Sequence, residues 1–260
     1  MAHRKDIWRF KNSNEYEYKW IGNYGAKGEK RSPRKKATKE QIKKQNQYNK
    51  EKTIRRVIKA NFTTEDFWIT LKYPKGHRAA ITEVQKNLSE FNRKMRREYQ
   101  KRKIPYKFIY RMEIGTRGGI HIHILINRAR GTPETDLLVK KYWNHGGSNF
   151  VTLYEQGGFQ NLAEYIVKPL PEETEKQVSM FDETEKKLFV KYSTSRNLIR
   201  PEPERKVYSR RTVEKLIREG PKPTEAFYID KDSIRMGVNP YTGMSYLQYI
   251  EYKIGWEDGT

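Results

Sequence analysis

The chain has 260 residues and a formal charge of +22, from 54 Lys and Arg against 32 Asp and Glu. It contains no cysteine, which excludes disulfides, thiolate metal sites and thiol nucleophiles. No apolar run approaches membrane-spanning length and the N-terminus lacks a signal-peptide core, so the expected compartment is the cytoplasm, with no membrane partner.

In chain order, residues 1–38 are polar, Gly- and Lys-rich and weakly patterned, and read as a basic arm. Residues 39–60 suit a basic helix. "DFWITLKYP", residues 66–74, reads as a strand ended by its proline. Ile81, Val84, Leu88, Phe91 and Met95 then step by three and four, one apolar stripe on a helix. Residues 108–114 and 120–126 are two strands separated by "GTRGG", a hairpin signal. "PETDLLVKKYW" opens a helix at its proline, "SNFVTLY" is a short strand, and "FQNLAEYIVK" is a helix stopped by Pro169. The acidic "PEETEKQVSMFDETEK" reads as a surface loop. A short helix over 212–219 and a Tyr-rich tail without a core of its own complete the chain.

This order predicts an α+β fold: a central antiparallel sheet with helices packed on it, plus an N-terminal basic arm and a C-terminal extension. The expected divisions are residues 1–60 as arm and helix, 61–172 as the core, and 173–260 as an extension packed on that core. Tyr, Trp and Phe interspersed among the basic residues suit a polyanion with stackable bases. No glycine-rich loop ends in the Lys-Ser/Thr pair that cradles nucleotide phosphates, so any ATP-driven step belongs to a partner.

"GGIHIHILI" carries the chemistry. Side chains alternate across a strand, so Ile120, Ile122, Ile124 and Ile126 share one face while His121, His123 and Leu125 share the other. If the preceding strand turns Phe108, Tyr110, Met112 and Ile114 to the isoleucine side, Glu113 falls opposite His121 and Arg111 opposite His123. Two imidazoles and a carboxylate on one patch are a donor set for a divalent cation. They are equally a hydrogen-bonded polar sheet face, with Glu113 as partner to the histidines. On the later helix, Tyr165 and Lys168 are three apart and project together. A phenol becomes a nucleophile where a neighbouring cation stabilises its anion.

Three stretches in this order resemble the HUH endonucleases, in the replication-initiator (Rep) branch that starts rolling-circle replication. "FWITLKYP", with Thr70 and Tyr73–Pro74, looks like the first motif; "GGIHIHILI", preceded by Glu113, is similar to the second; "YIVK" matches the tyrosine and lysine of the third. The tail is more loosely similar to replication proteins of filamentous-phage-like and plasmid elements of Gram-positive bacteria. The resemblance implies that Glu113, His121 and His123 hold Mg²⁺ or Mn²⁺ against the scissile phosphate of single-stranded DNA at a replication origin. Tyr165 then attacks to give a 5′-phosphotyrosine, Lys168 offsets charge, and a host helicase and polymerase continue replication. Thr70, Tyr73, Arg111 and Arg117 are candidate DNA contacts. Only one tyrosine occupies the third motif, so a second transfer needs another protomer or another tyrosine, such as Tyr154.

Alternatives remain within the family and outside it. A single-tyrosine transposase keeps this motif order, whereas a mobilisation relaxase usually reverses it. The cupin motif requires a glutamate where Asn127 and Arg128 stand, and the alternating-histidine nucleotide hydrolases need a third histidine where Leu125 stands. A non-catalytic basic nucleic-acid-binding protein fits the charge and aromatics alone. His3, His77, His145, Asn161 and Glu164 are weaker candidates for the site.

Overall fold

A computed structural model describes residues 2–21, 36–115, 118–153, 158–189, 191–239 and 243–255. In chain order the elements begin with β1 (Ala2–Arg9), β2 (Ser13–Trp20), α1 (Lys39–Asn61), β3 (Phe67–Lys72), α2 (Ile81–Lys101), β4 (Phe108–Ile114), β5 (Ile120–Ile126) and α3 (Thr135–Tyr142). They continue with β6 (Ser148–Thr152), α4 (Gln160–Val167), α5 (Glu172–Ser179), α6 (Glu183–Leu188), β7 (Tyr192–Thr194), β8 (Glu204–Ser209), α7 (Arg210–Glu219), β9 (Phe227–Asn239) and β10 (Met244–Lys253). The fold is α+β, with two five-stranded antiparallel sheets and helices packed on them.

The chain divides into two compact units, Gln47–Arg200 and a second made of Met1–Asn46 with Pro201–Thr260. In the first, the strand order is β6-β3-β5-β4-β7. The register of β4 on β5 pairs Glu113 with His121, Arg111 with His123 and Ile114 with Ile120, as the alternation requires. Ile122, Ile124 and Ile126 are fully buried in a cluster with Val84, Leu88, Phe91 and Met95 of α2 and Leu138 and Val139 of α3. Packing that whole stripe under two helices fixes the register, because a slip of one residue would bury the histidines instead. The opposite face is not left open along its length. Ile109 and Leu125 lie under a second cluster with Ile54, Val57 and Ile58 of α1 and Ala163 and Ile166 of α4.

The acidic stretch expected as a surface loop is two short helices instead. Asp182 accepts from the backbone of Thr184 and Glu185 while Glu185 reaches back to Asp182, a capping box that starts α6. Phe189 is buried in the α2 cluster, and Val178, Phe181 and Leu188 pack against it. Acidic composition disguised an amphipathic pair.

The other unit corrects the reading of both termini. Residues 2–20, expected within an arm, form β1 and β2, and the sheet runs β8-β1-β2-β10-β9. Ile7, Tyr16, Tyr18, Leu247 and Tyr249 build its core with Val213 of α7. The tail thus has a core, but half of that core comes from strands at the opposite end of the sequence. Pairing across that separation leaves no local signal, and the buried tyrosines look like surface residues in composition. The compact units accordingly do not follow the expected divisions at residues 60 and 172. Among the described residues no helix is long and apolar enough to cross a membrane.

Candidate active site

Alternation on β4 and β5 puts Arg111, Glu113, His121 and His123 on one face, and the pairing of β3 adds Trp68, Thr70 and Lys72, with Thr70 opposite His123 and Lys72 opposite His121. α4 delivers the tyrosine to the same face. Phe159, which precedes α4, adopts a positive φ of 62°, and its ring is buried in the cluster beneath α1 and α4. From that anchor Ala163, Ile166 and Val167 are buried while Tyr165 is half-buried at the polar patch.

The Tyr165 hydroxyl donates to Glu113 Oε2 at 2.7 Å and lies 3.0 Å from His123 Nε2. Glu113 is the hub. Its carboxylate also meets Arg111 Nε at 2.9 Å, Lys168 Nζ at 2.9 Å and His123 Nε2 at 3.2 Å. Burial alone pushes the Glu113 carboxyl upward, but the bonds from His123, Tyr165, Lys168 and Arg111 reverse this and hold it well below the usual carboxylate range. For the phenol, burial acts in the same direction as the hydrogen bond to Glu113 and its negative charge, so Tyr165 is raised well above its ordinary value. The resting group is a neutral phenol.

His123 is held from both sides. Its Nδ1 is 3.1 Å from the Thr70 hydroxyl, and the Trp68 ring stacks on it at a centroid distance of 5.8 Å. With the proton on Nε2, that nitrogen donates toward the phenol and carboxylate while Nδ1 accepts from Thr70, a tautomer that satisfies every contact. Trp68 also meets the Tyr165 ring edge to face at 5.9 Å. Thr70, expected at DNA, is placed to orient His123. Trp68 was missed by the sequence reading, although its parity with Thr70 on β3 would have found it.

Arg111, also expected at DNA, is fully buried. Its Nη1 donates to the carbonyl oxygens of Ile166 at 2.9 Å and Lys168 at 2.8 Å, and its Nε holds Glu113. The last carbonyls of a helix have no partner within the helix. Here one guanidinium satisfies them and ties the end of α4 to β4. Gln47 Nε2 adds a bond to the Val167 carbonyl at 3.0 Å. Lys168 caps α4 outside its last turn, with its ammonium 4.0 Å from the centroid of the Tyr165 ring.

Tyr73 is not brought to the patch. It packs at the edge of the α2 cluster, and its hydroxyl accepts from Asn87 at 3.0 Å. His145 packs on Trp143 and Tyr73, and His77 on Tyr73 and Glu83. His3 belongs to the other unit, where its Nε2 lies 3.1 Å from the Ser245 carbonyl. Asn161 and Glu164 are exposed, Glu164 accepting from Gln160. Arg117 and Tyr154 lie outside the described residues. Lys72, unforeseen, is exposed across from His121 and depresses that imidazole further after burial and His123 have done so.

Two imidazoles and a carboxylate at paired strand positions have the right chemistry for Mg²⁺ or Mn²⁺. The side chains as they stand are turned to other partners. Glu113 is occupied by two cations and the phenol, and the His121 ring lies over Gly115, where a Cβ would sit 2.7 Å from its Cε1. Among the described residues no group of three or more His, Asp or Glu side chains converges to hold a metal. Seating a cation here requires Glu113 to release Lys168 and Tyr165, a change on the scale of side-chain rotation.

Residues 66–170 match a family model described as Replication-associated protein, of the ORF2 type. The matched stretch runs from the start of β3 past the end of α4 and contains the whole polar patch. It supports a role in replication, and with it an involvement with nucleic acid. No curated protein and no solved structure matches the chain.

Proposed function

We propose that the chain is a replication initiator that nicks and rejoins single-stranded DNA through a covalent link to Tyr165. The observation that carries this reading is the position of the Tyr165 hydroxyl, within hydrogen-bonding distance of both Glu113 and His123 on the polar face. The match to a replication-associated family over the same residues supports it.

In the reaction, Tyr165 Oη bonds to the scissile phosphorus as the bond from phosphorus to the 3′ oxygen breaks. The phenolic proton leaves along the bond to Glu113 Oε2, and the 3′ oxygen takes a proton from water to become the hydroxyl a polymerase extends. The product is a 5′-phosphotyrosine. Its ester preserves the energy of the broken linkage, so attack by a 3′-hydroxyl reverses the transfer without ATP. Lys168 and Arg111 give the patch two fixed positive charges against the single carboxylate of Glu113, which favours a phosphodiester and the charge that builds on it. Thr70 and Trp68 keep His123 facing the hydroxyl. Glu113, His121 and His123 would hold Mg²⁺ or Mn²⁺, which supplies charge neutralisation at a phosphoryl oxygen.

The test is covalent capture: the full chain, a labelled single strand and Mn²⁺, resolved under denaturing conditions. The wild type should form a denaturation-resistant adduct, and excess chelator should abolish it. Tyr165→Phe should lower capture by at least about 10³-fold while DNA affinity stays nearly the same. Wild-type nicking by Tyr165→Phe would remove the nucleophile assignment, and unchanged capture in chelator would remove the cation. The unconverged donor set favours one rival, a basic nucleic-acid binder without catalysis; it gives salt-sensitive retention and no adduct.

A further inference from the structure

A cavity of about 510 Å³ opens between α1 and β7. It is built from groups that the strand-transfer site does not use. Lys50 and Arg200 supply two cations, Asn49, Thr53 and Thr194 supply hydrogen-bonding groups, and Tyr192 supplies a ring. No carboxylate lines it. Lys50 and Arg200 are exposed, and neither has an acidic partner among the described residues. Arg200 instead reaches the Thr194 hydroxyl at 3.4 Å.

The cavity lies on the face of the sheet that carries the phenol and the histidines. Tyr192 pairs directly with Arg111 and Thr194 with Ile109, so both side chains share the parity of Arg111, Glu113 and their partners on β5. β7 is the last strand of its sheet. The Lys191 carbonyl and the Ser195 N–H bond inward to β4, which turns the main-chain groups of Tyr192 and Thr194 to the open edge. Edge amides and carbonyls of this kind are unpaired donors and acceptors.

A ligand for this lining is anionic, rich in hydrogen-bonding groups, and carries a flat apolar part. We propose that the cavity binds one nucleotide of the single-stranded DNA, its base against Tyr192 and its phosphates between Lys50 and Arg200. The volume falls within the range of roughly 300–1,000 Å³ usual for small-molecule pockets. Base stacking on an aromatic side chain tolerates any sequence, and the two cations fix the path of the backbone. Arg111 stands between the cavity and the hub at Glu113, one strand from each neighbour. A strand seated at Tyr192 is thereby led across β4 toward the Tyr165 hydroxyl. The assignment deepens the strand-transfer reading and rests on it for the identity of the ligand.

The experiment is fluorescence anisotropy with a labelled oligothymidylate, using the full chain carrying Tyr165→Phe so that no strand transfer intervenes. Lys50→Ala with Arg200→Ala should weaken binding roughly tenfold and lower the log–log salt slope by about 1.4, the loss of two phosphate contacts on a single strand. Arg93→Ala with Arg97→Ala, on α2 and away from this face, removes the same charge and should leave affinity and slope near their starting values. All four side chains are exposed, so folding is not at stake. Equal weakening by the two pairs, or weakening by neither, overturns the assignment. If the wild type forms no covalent adduct yet the two pairs still differ, the cavity stands as a nucleic-acid site and the strand-transfer reading falls.

Discussion

The two faces of the β6-β3-β5-β4-β7 sheet are written by the same strands, residue by alternate residue, yet they are held together differently. Under α2 and α3 the isoleucines of β5 are closed by many interchangeable apolar contacts. On the other side His121 and His123 stand half-buried, and a few directional bonds converge on Glu113. Apolar packing tolerates small losses because its energy is spread over many weak contacts. The polar hub does not, because each partner removed leaves a charge or a carbonyl unsatisfied. Stability resides mainly on the first face and chemistry on the second, with Arg111 the group that serves both purposes.

That contrast is sharpest at Arg111. Arg111→Met keeps the volume but strips two carbonyls of α4 and the Glu113 carboxylate of a buried partner. It should cost about 3–5 kcal/mol in denaturant unfolding, and covalent capture should fall even at temperatures where the variant is folded. Loss of stability with capture per folded molecule intact would show that α4 needs no such clasp. A smaller effect is expected on the aliphatic face: Ile122→Val should cost about 1 kcal/mol and leave capture unchanged. A capture defect there would mean that the two faces are not separable. The smallest effect is the pH dependence of Glu113. Its folded value is depressed, so its ionised form contributes stability above the ordinary carboxyl value of 4.5, and that contribution is lost as pH falls toward the folded value. Melting temperatures measured downward from pH 4.5 should fall more steeply for the wild type than for Glu113→Gln, and parallel curves would deny the coupling.

The sheet face and its register were legible because alternation is a local pattern with one buried solution. The hairpin β4–β5 needed only Ile114 opposite Ile120 to place Glu113 and Arg111 beside the histidines. What Arg111 does there was not legible, since its partners are main-chain carbonyls of a helix some fifty-five residues later. Thr70 and Tyr73 looked alike as motif residues, but they lie three apart on an extended chain and so point to opposite faces. Only Thr70 reaches the site. The N-terminal strands stayed hidden for another reason. Tyr16 and Tyr18 are buried among Glu15, Glu17 and Lys19, and the partner strand β10 lies beyond residue 243. Nothing within a short window distinguishes that stretch from a solvated arm.

The central claim is that the phenol on α4 is the group that becomes joined to DNA. Mass analysis of the peptide retained on an oligonucleotide, after incubation with Mn²⁺ and proteolysis, tests it without assuming any geometry. The account predicts a nucleotide mass on the peptide containing Tyr165 and on no other of the 18 tyrosines. An adduct mapped to a different tyrosine, or oligonucleotide recovered without peptide from a folded and binding-competent chain, would contradict it.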